Sequence, residues 1–133
     1  MSEKIVVSGK RKRSVARAVI VEGTGKIKVN KVSYELLPKF RRLMIEEPLR
    51  IAKELGIENY DIEVSFSGGG FESGIEASRL AIAKALVKAT KSDELKKAYL
   101  AYDRNMLVAD TRRKEPYKPG DSKARSKRQK SYR

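Results

Sequence analysis

YDIEVSFSGGGFESG, residues 60–74, is the stretch on which the architecture turns. Tyr60, Ile62, Val64 and Phe66 alternate with Asp61, Glu63 and Ser65, the period of two that gives a strand one buried and one wet face. Three glycines follow, and from Glu72 to about Ala89 nothing interrupts a helix except Gly74 near its start. Leu80, Ala81, Ala83, Ala85, Leu86 and Val87 make that helix apolar around much of its girth, so it is expected to be central and to lie on a sheet. A strand, a glycine turn and a buried helix point to an α+β fold.

Working upstream, KIVVSG reads as a short strand and SVARAVIVEG as a second, with Ala16, Ala18 and Ile20 on one face and Val15, Arg17, Val19 and Val21 on the other. Gly23 and Gly25 in EGTGK suit a reversal, and Ile27 and Val29 alternate with Lys26 and Lys28, so this segment is expected to form a hairpin with the strand before it. From Tyr34 to Leu55 the pattern turns helical; Pro48 is placed in the first turn of a helix burying Leu49, Ala52 and Leu55 and ended by Gly56. Downstream, Ser92 is positioned to cap a helix whose first turn carries Asp93 and Glu94, with Leu95, Tyr99 and Tyr102 along one face. NMLVAD then returns toward the core. The expected division is one globular body over residues 1–110 and an extended tail over 111–133, where Pro116, Pro119 and Gly120 discourage helix and few apolar groups could offset the entropy of ordering.

Charge separates along the chain in the same way. The formal net charge is +14, yet residues 32–110 are nearly balanced, with 12 cations against 13 anions. Residues 1–31 carry nine against two, and residues 111–133 ten against two. A neutral middle with two basic ends implies a compact body whose ends reach into an anionic environment, most plausibly nucleic acid. Neither cysteine nor histidine occurs, which removes disulfides, thiolate nucleophiles, imidazole bases and nearly every structural zinc site. No cofactor or metal is expected. No run of 18 apolar residues is present and MSEKIVVSGK has no secretory signal pattern, so the chain is expected in the cytoplasm, without a membrane partner.

Three stretches carry candidate chemistry. In SGGGFESG, Gly68, Gly69 and Gly70 would let a backbone approach phosphate at a helix start; RNA backbone, a small phosphorylated molecule and an ordinary tight turn all satisfy that pattern. In SGKRKRSVARA, Lys10, Arg11, Lys12 and Arg13 raise the local potential steeply, which suits RNA phosphates, although a solvated loop is also compatible. Beyond Asp110, Arg112, Arg113, Lys114, Lys123, Arg125, Lys127 and Arg128 are candidate contacts to nucleic-acid phosphates in a tail that ends SKARSKRQKSYR, with six cations and no acid. Tyr132 adds a face for base stacking.

These stretches together resemble the family of small-subunit ribosomal protein number nine, in its archaeal and eukaryotic style, over nearly the whole length. Gly68, Gly69, Gly70, Ser73, Ala77, Ala81, Ala83, Lys84, Ala85 and Leu86 match its central signature in register, and Gly74 stands where the family has glutamine. SGKRKRSVARA, GTGKIKVN, LVAD with Arg112 and Glu115, and QKSYR are similar to its other segments. The resemblance implies an α+β body with a mostly antiparallel sheet backed by helices, like the second domain of small-subunit ribosomal protein number five and related to folds in certain translation GTPases and small-molecule kinases. It implies a structural role in the head of the small ribosomal subunit, with rRNA and neighbouring ribosomal proteins as partners. It further implies that Lys130, Tyr132 and Arg133 approach the anticodon stem-loop of the tRNA in the peptidyl site. A kinase-like enzyme built on the glycine turn is the rival, disfavoured because no second half remains to form a pocket; a general nucleic-acid compacting protein is another. No enzymatic activity and no small-molecule substrate are expected.

Overall fold

The computed structural model of the chain describes residues 4–109, 111 and 112. Five strands, β1 (Ile5–Arg11), β2 (Ser14–Glu22), β3 (Ile27–Val29), β4 (Val32–Ser33) and β5 (Tyr60–Ser67), form one sheet in the order β1-β2-β5-β3-β4. Three helices, α1 (Lys39–Glu54), α2 (Phe71–Thr90) and α3 (Asp93–Tyr102), accompany it. All strand pairs are antiparallel except β3 with β5, which run parallel. The α+β architecture is the expected one.

Alternation along the strands decides which face is covered. Ala16, Ala18 and Ile20 on β2, Ile62 and Val64 on β5, and Ile27 and Val29 on β3 all point to the helical side and are buried. Across that face lies α2, touching β1, β2 and β5, with α1 and α3 packed against it. Small residues let it come close: a Cβ built on Gly9 of β1 would stand 2.4 Å from the Ala77 carbonyl oxygen of α2. α2 itself is buried almost all round, from Ile75 to Leu86, as its all-apolar girth required.

Two expectations are corrected. EGTGK does not form a hairpin between β2 and β3, because β5 lies between them. The Asp61 carboxylate of β5 accepts hydrogen bonds from the amides of Thr24, Gly25 and Lys26 at 3.0, 3.0 and 2.9 Å, and so carries the loop across the end of β5. Ile27 then pairs with Ile62 and Val29 with Val64. Those amides, Lys26 foremost, hold Asp61 below its ordinary pKa. The true hairpins turn at Lys12–Arg13 and at Asn30–Lys31, where both residues of the second pair have positive φ, 50° and 67°, as a tight primed turn demands.

Pro48 is also not in a first turn. α1 starts at Lys39, with Pro38 as its N-cap, and Pro48 is buried in its interior. An interior proline costs one helix hydrogen bond, here offset by burial of the ring and by the Tyr99 hydroxyl, which donates to the Pro48 carbonyl at 2.8 Å. Leu49 is half-buried and Leu55 exposed, whereas Ala52 is buried as expected. In α3 the Ser92 cap forms, its hydroxyl accepting from the Leu95 amide at 3.2 Å; Leu95 and Tyr99 are buried and Tyr102 is exposed. Met106 of NMLVAD does return to the core.

Candidate nucleic-acid interface

The hairpin turn, the glycine turn and the start of the tail are far apart in sequence and meet in space. A cleft of about 800 Å³ is lined by Arg11, Lys12, Arg13, Gly69, Gly70, Ser73 and Arg112. Among the described residues, every ionic side chain on that lining is a cation. A smaller cleft of about 230 Å³ adjoins it, sharing Arg11 and Arg112 and adding Lys10, Arg79, Glu76 and Asp103.

Register brings these groups together. β1 and β2 pair from Ile5–Ile20 down to Arg11–Ser14, leaving Lys12 and Arg13 as a two-residue turn. β2 and β5 pair from Val15–Ser67 onward, so the glycines after Ser67 emerge beside that turn. Hydroxyl groups fasten the two. Ser14, fully buried, donates to the Gly68 carbonyl at 2.6 Å, and its oxygen lies 2.8 Å from the Ser73 hydroxyl, which also reaches the Gly70 carbonyl at 2.9 Å.

Glycine is required at two of the three positions. Gly68 and Gly69 have φ of 79° and 60°, and an added Cβ would fall 2.6 Å from the Arg13 carbonyl oxygen or 2.7 Å from the Ser14 hydroxyl. Gly70 differs, with φ of −87° and nothing nearer its missing Cβ than Ser73 at 4.0 Å. It lines the cleft and precedes α2, whose N-cap position makes no side-chain hydrogen bond to the first amides of the helix. An incoming phosphate would meet amides, a positive helix end and cations.

The cations differ in what they already do. Arg11 is largely buried and gives its Nε hydrogen to Glu76 of α2 at 2.6 Å, so it braces the hairpin against the helix. Lys12 and Arg13 are exposed. Lys12 has φ of 53°, a backbone region that favours glycine, at a cost of about 1–2 kcal/mol for an L side chain. Arg113, Lys114, Lys123, Arg125, Lys127, Arg128, Lys130, Tyr132 and Arg133 lie outside the described residues.

Sequence reasoning missed Ser14, Ser73 and Glu76 as the fittings of this cleft, and nothing local marks them, since each acts across more than fifty residues of chain. Gly74 has a structural explanation. A Cβ there would stand 2.2 Å from the Phe66 ring, which packs edge-on against Phe71 with centroids 5.3 Å apart, and Phe71 in turn lies under the Arg41 guanidinium at 4.1 Å. With Phe66 in place, no side chain fits at position 74.

Among known proteins, the family described as ribosomal protein S9/S16 matches residues 9–133. A relative from Methanococcus maripaludis, named small ribosomal subunit protein uS9, is 46% identical over 128 residues, covering 94% of this chain and 95% of its own length. Two relatives of the same name from other strains of that organism are 45% identical over the same shares.

Proposed function

Because the chain belongs to the ribosomal protein S9/S16 family, we propose that its basic cleft is an rRNA-binding surface from which the cationic tail extends to the anticodon stem-loop of the peptidyl-site tRNA. Membership makes it a structural constituent of the small ribosomal subunit, associated with the ribosome in the cytoplasm, with rRNA and neighbouring ribosomal proteins as partners. It is not an enzyme; the kinase-like rival falls with that membership.

One observation supports the finer reading: the convergence of Lys12, Arg13, Gly69, Gly70 and Arg112 on a single cleft whose ionic lining, among the described residues, is cationic. Residues 1–110 act as the body that docks on the head of the subunit, and residues 111–133 as an arm leaving from the rim of the cleft at Arg112. Along the arm, Arg113, Lys114, Lys123, Arg125, Lys127 and Arg128 neutralise rRNA phosphates, each releasing condensed counterions. At the tip, Lys130, Tyr132 and Arg133 contact the tRNA.

Removal of Lys130–Arg133 tests this. Subunits assembled with the shortened chain are expected to contain it at normal stoichiometry and to release peptidyl-site tRNA faster. Retention equal to that of the full chain would remove the tRNA role and leave the rRNA role standing.

A further inference from the structure

α2 lies directly against one face of the sheet, and among the described residues the outward side chains of Ser8, Lys10, Val15, Arg17, Ser65 and Ser67 on the other face are exposed. Cross-strand register fixes which residues stand side by side there. Ser8 of β1, Arg17 of β2 and Ser65 of β5 form one row, all exposed. Lys10, Val15 and Ser67 form the next row toward the Lys12–Arg13 turn. Neither row contains a carboxylate. The acids of this face begin one row away on the other side of Arg17, where Glu63 stands between Val19 and Lys28, and Asp61 beyond it is occupied by three amides.

Arg17 makes no ion pair among the described residues. It stands in mid-strand on β2, inside the sheet, where β-branched or aromatic side chains are the usual choice, with a serine on each side at a Cα spacing of about 5 Å. A planar fork between two hydroxyl donors suits a phosphate group, which takes several donors at once. The row also continues, through Lys10, into the turn that lines the cleft.

We propose that this bare sheet face, centred on Arg17 with Ser8 and Ser65, is a second RNA-binding tract that holds backbone phosphates of an rRNA strand passing from the Lys12–Arg13 turn onto the sheet. The proposal rests on reading the cleft as an RNA surface and extends it to the opposite side of the hairpin. Charge complementarity selects the occupant: two cations and three hydroxyls, with no acid in the two rows nearest the turn, favour a polyanion over a protein face.

Two measurements on the full chain test it. In the first, Arg17→Gln and Arg17→Lys are titrated against deproteinised small-subunit rRNA over a series of KCl concentrations. Arg17→Gln is expected to bind roughly fivefold more weakly with the salt slope reduced by about 0.7–0.9, while Arg17→Lys keeps the slope. In the second, Ser65→Cys provides the single thiol of a chain that has none, and an iron chelate attached there is expected to cleave rRNA in the reconstituted subunit. An unchanged slope for Arg17→Gln, in a titration where Lys12→Gln weakens binding, would overturn the sheet tract and spare the cleft. Wild-type protein without salt-dependent rRNA binding would overturn both. A crosslinker at Ser65→Cys that traps a neighbouring protein, with no RNA cleavage from the chelate, would show the face to be a protein contact and overturn the tract.

Discussion

Replacing Lys12 by glycine should make the protein more stable and worse at its task. Lys12 holds φ of 53° at the tip of the β1–β2 turn, which costs about 1–2 kcal/mol for a residue with a Cβ. Glycine removes that strain and gives back about 0.5–1 kcal/mol through the greater freedom of its unfolded chain. The net gain is about 0.5–1 kcal/mol, and loss of a charge beside Arg11 and Arg13 acts in the same direction. Unfolding entropy of about 2.1 cal/mol/K per residue over roughly 110 structured residues converts the gain into a rise in Tm of about 2–4 °C. Circular dichroism melts would read it. Titration against small-subunit rRNA should show the salt slope falling by about 0.7–0.9, the signature of one lost phosphate contact. If Tm fell, strain at the turn would not be what lysine is paying for; if Tm rose with affinity and slope intact, Lys12 would be no RNA contact.

Gly70→Ala should leave Tm within about 2 °C, since its Cβ meets only Ser73 at 4.0 Å, yet reduce rRNA affinity severalfold by standing in the cleft; equal affinity would argue against backbone approach there. Gly9→Ala places a Cβ 2.4 Å from the backbone of α2, which cannot yield as a side chain would, and should cost about 2 kcal/mol or more in urea unfolding; a neutral result would contradict the close β1–α2 contact. Tyr99→Phe removes the bond to the Pro48 carbonyl and should cost about 1 kcal/mol by the same measurement. For Asp61, whose folded pKa lies below the ordinary 3.8, the stabilisation is complete above that value and is lost as pH falls through the folded pKa; Asp61→Asn should flatten this acid limb in urea melts taken at successive pH values.

Much of the fold was legible because its signals are local. The period-two run from Tyr60 to Phe66 and the unbroken helix after the glycines declared β5 and α2, and Ser92 declared the start of α3. Where the reading failed, the deciding contact was distant. Gly23 and Gly25 have the chemistry of a hairpin turn, but the loop obeys Asp61, some 35 residues on, and the fit of Ile27 and Val29 against β5. Asn30–Lys31 lacks the glycine that usually betrays a primed turn, so the β3–β4 hairpin passed unnoticed. Pro48 was placed by its local preference, whereas burial against the core allowed it inside α1. The cleft was visible only as three fragments: sequence named Lys12, Gly69 and Arg112 separately, and register alone joined them.

Insertion of β5 between β2 and β3 has a consequence for how the chain is made. Emerging from its own ribosome N-terminus first, at about 5–20 residues per second, the nascent polypeptide can close the β1–β2 hairpin early but must leave one border of β2 bare until Ser67 has cleared the exit tunnel. During those seconds the exposed border invites illicit pairing, and the basic turn already offers phosphates a foothold before the globule exists. Arrested nascent chains ending before and after α2 should therefore differ sharply in protease resistance, with maturation arriving late and in a single step.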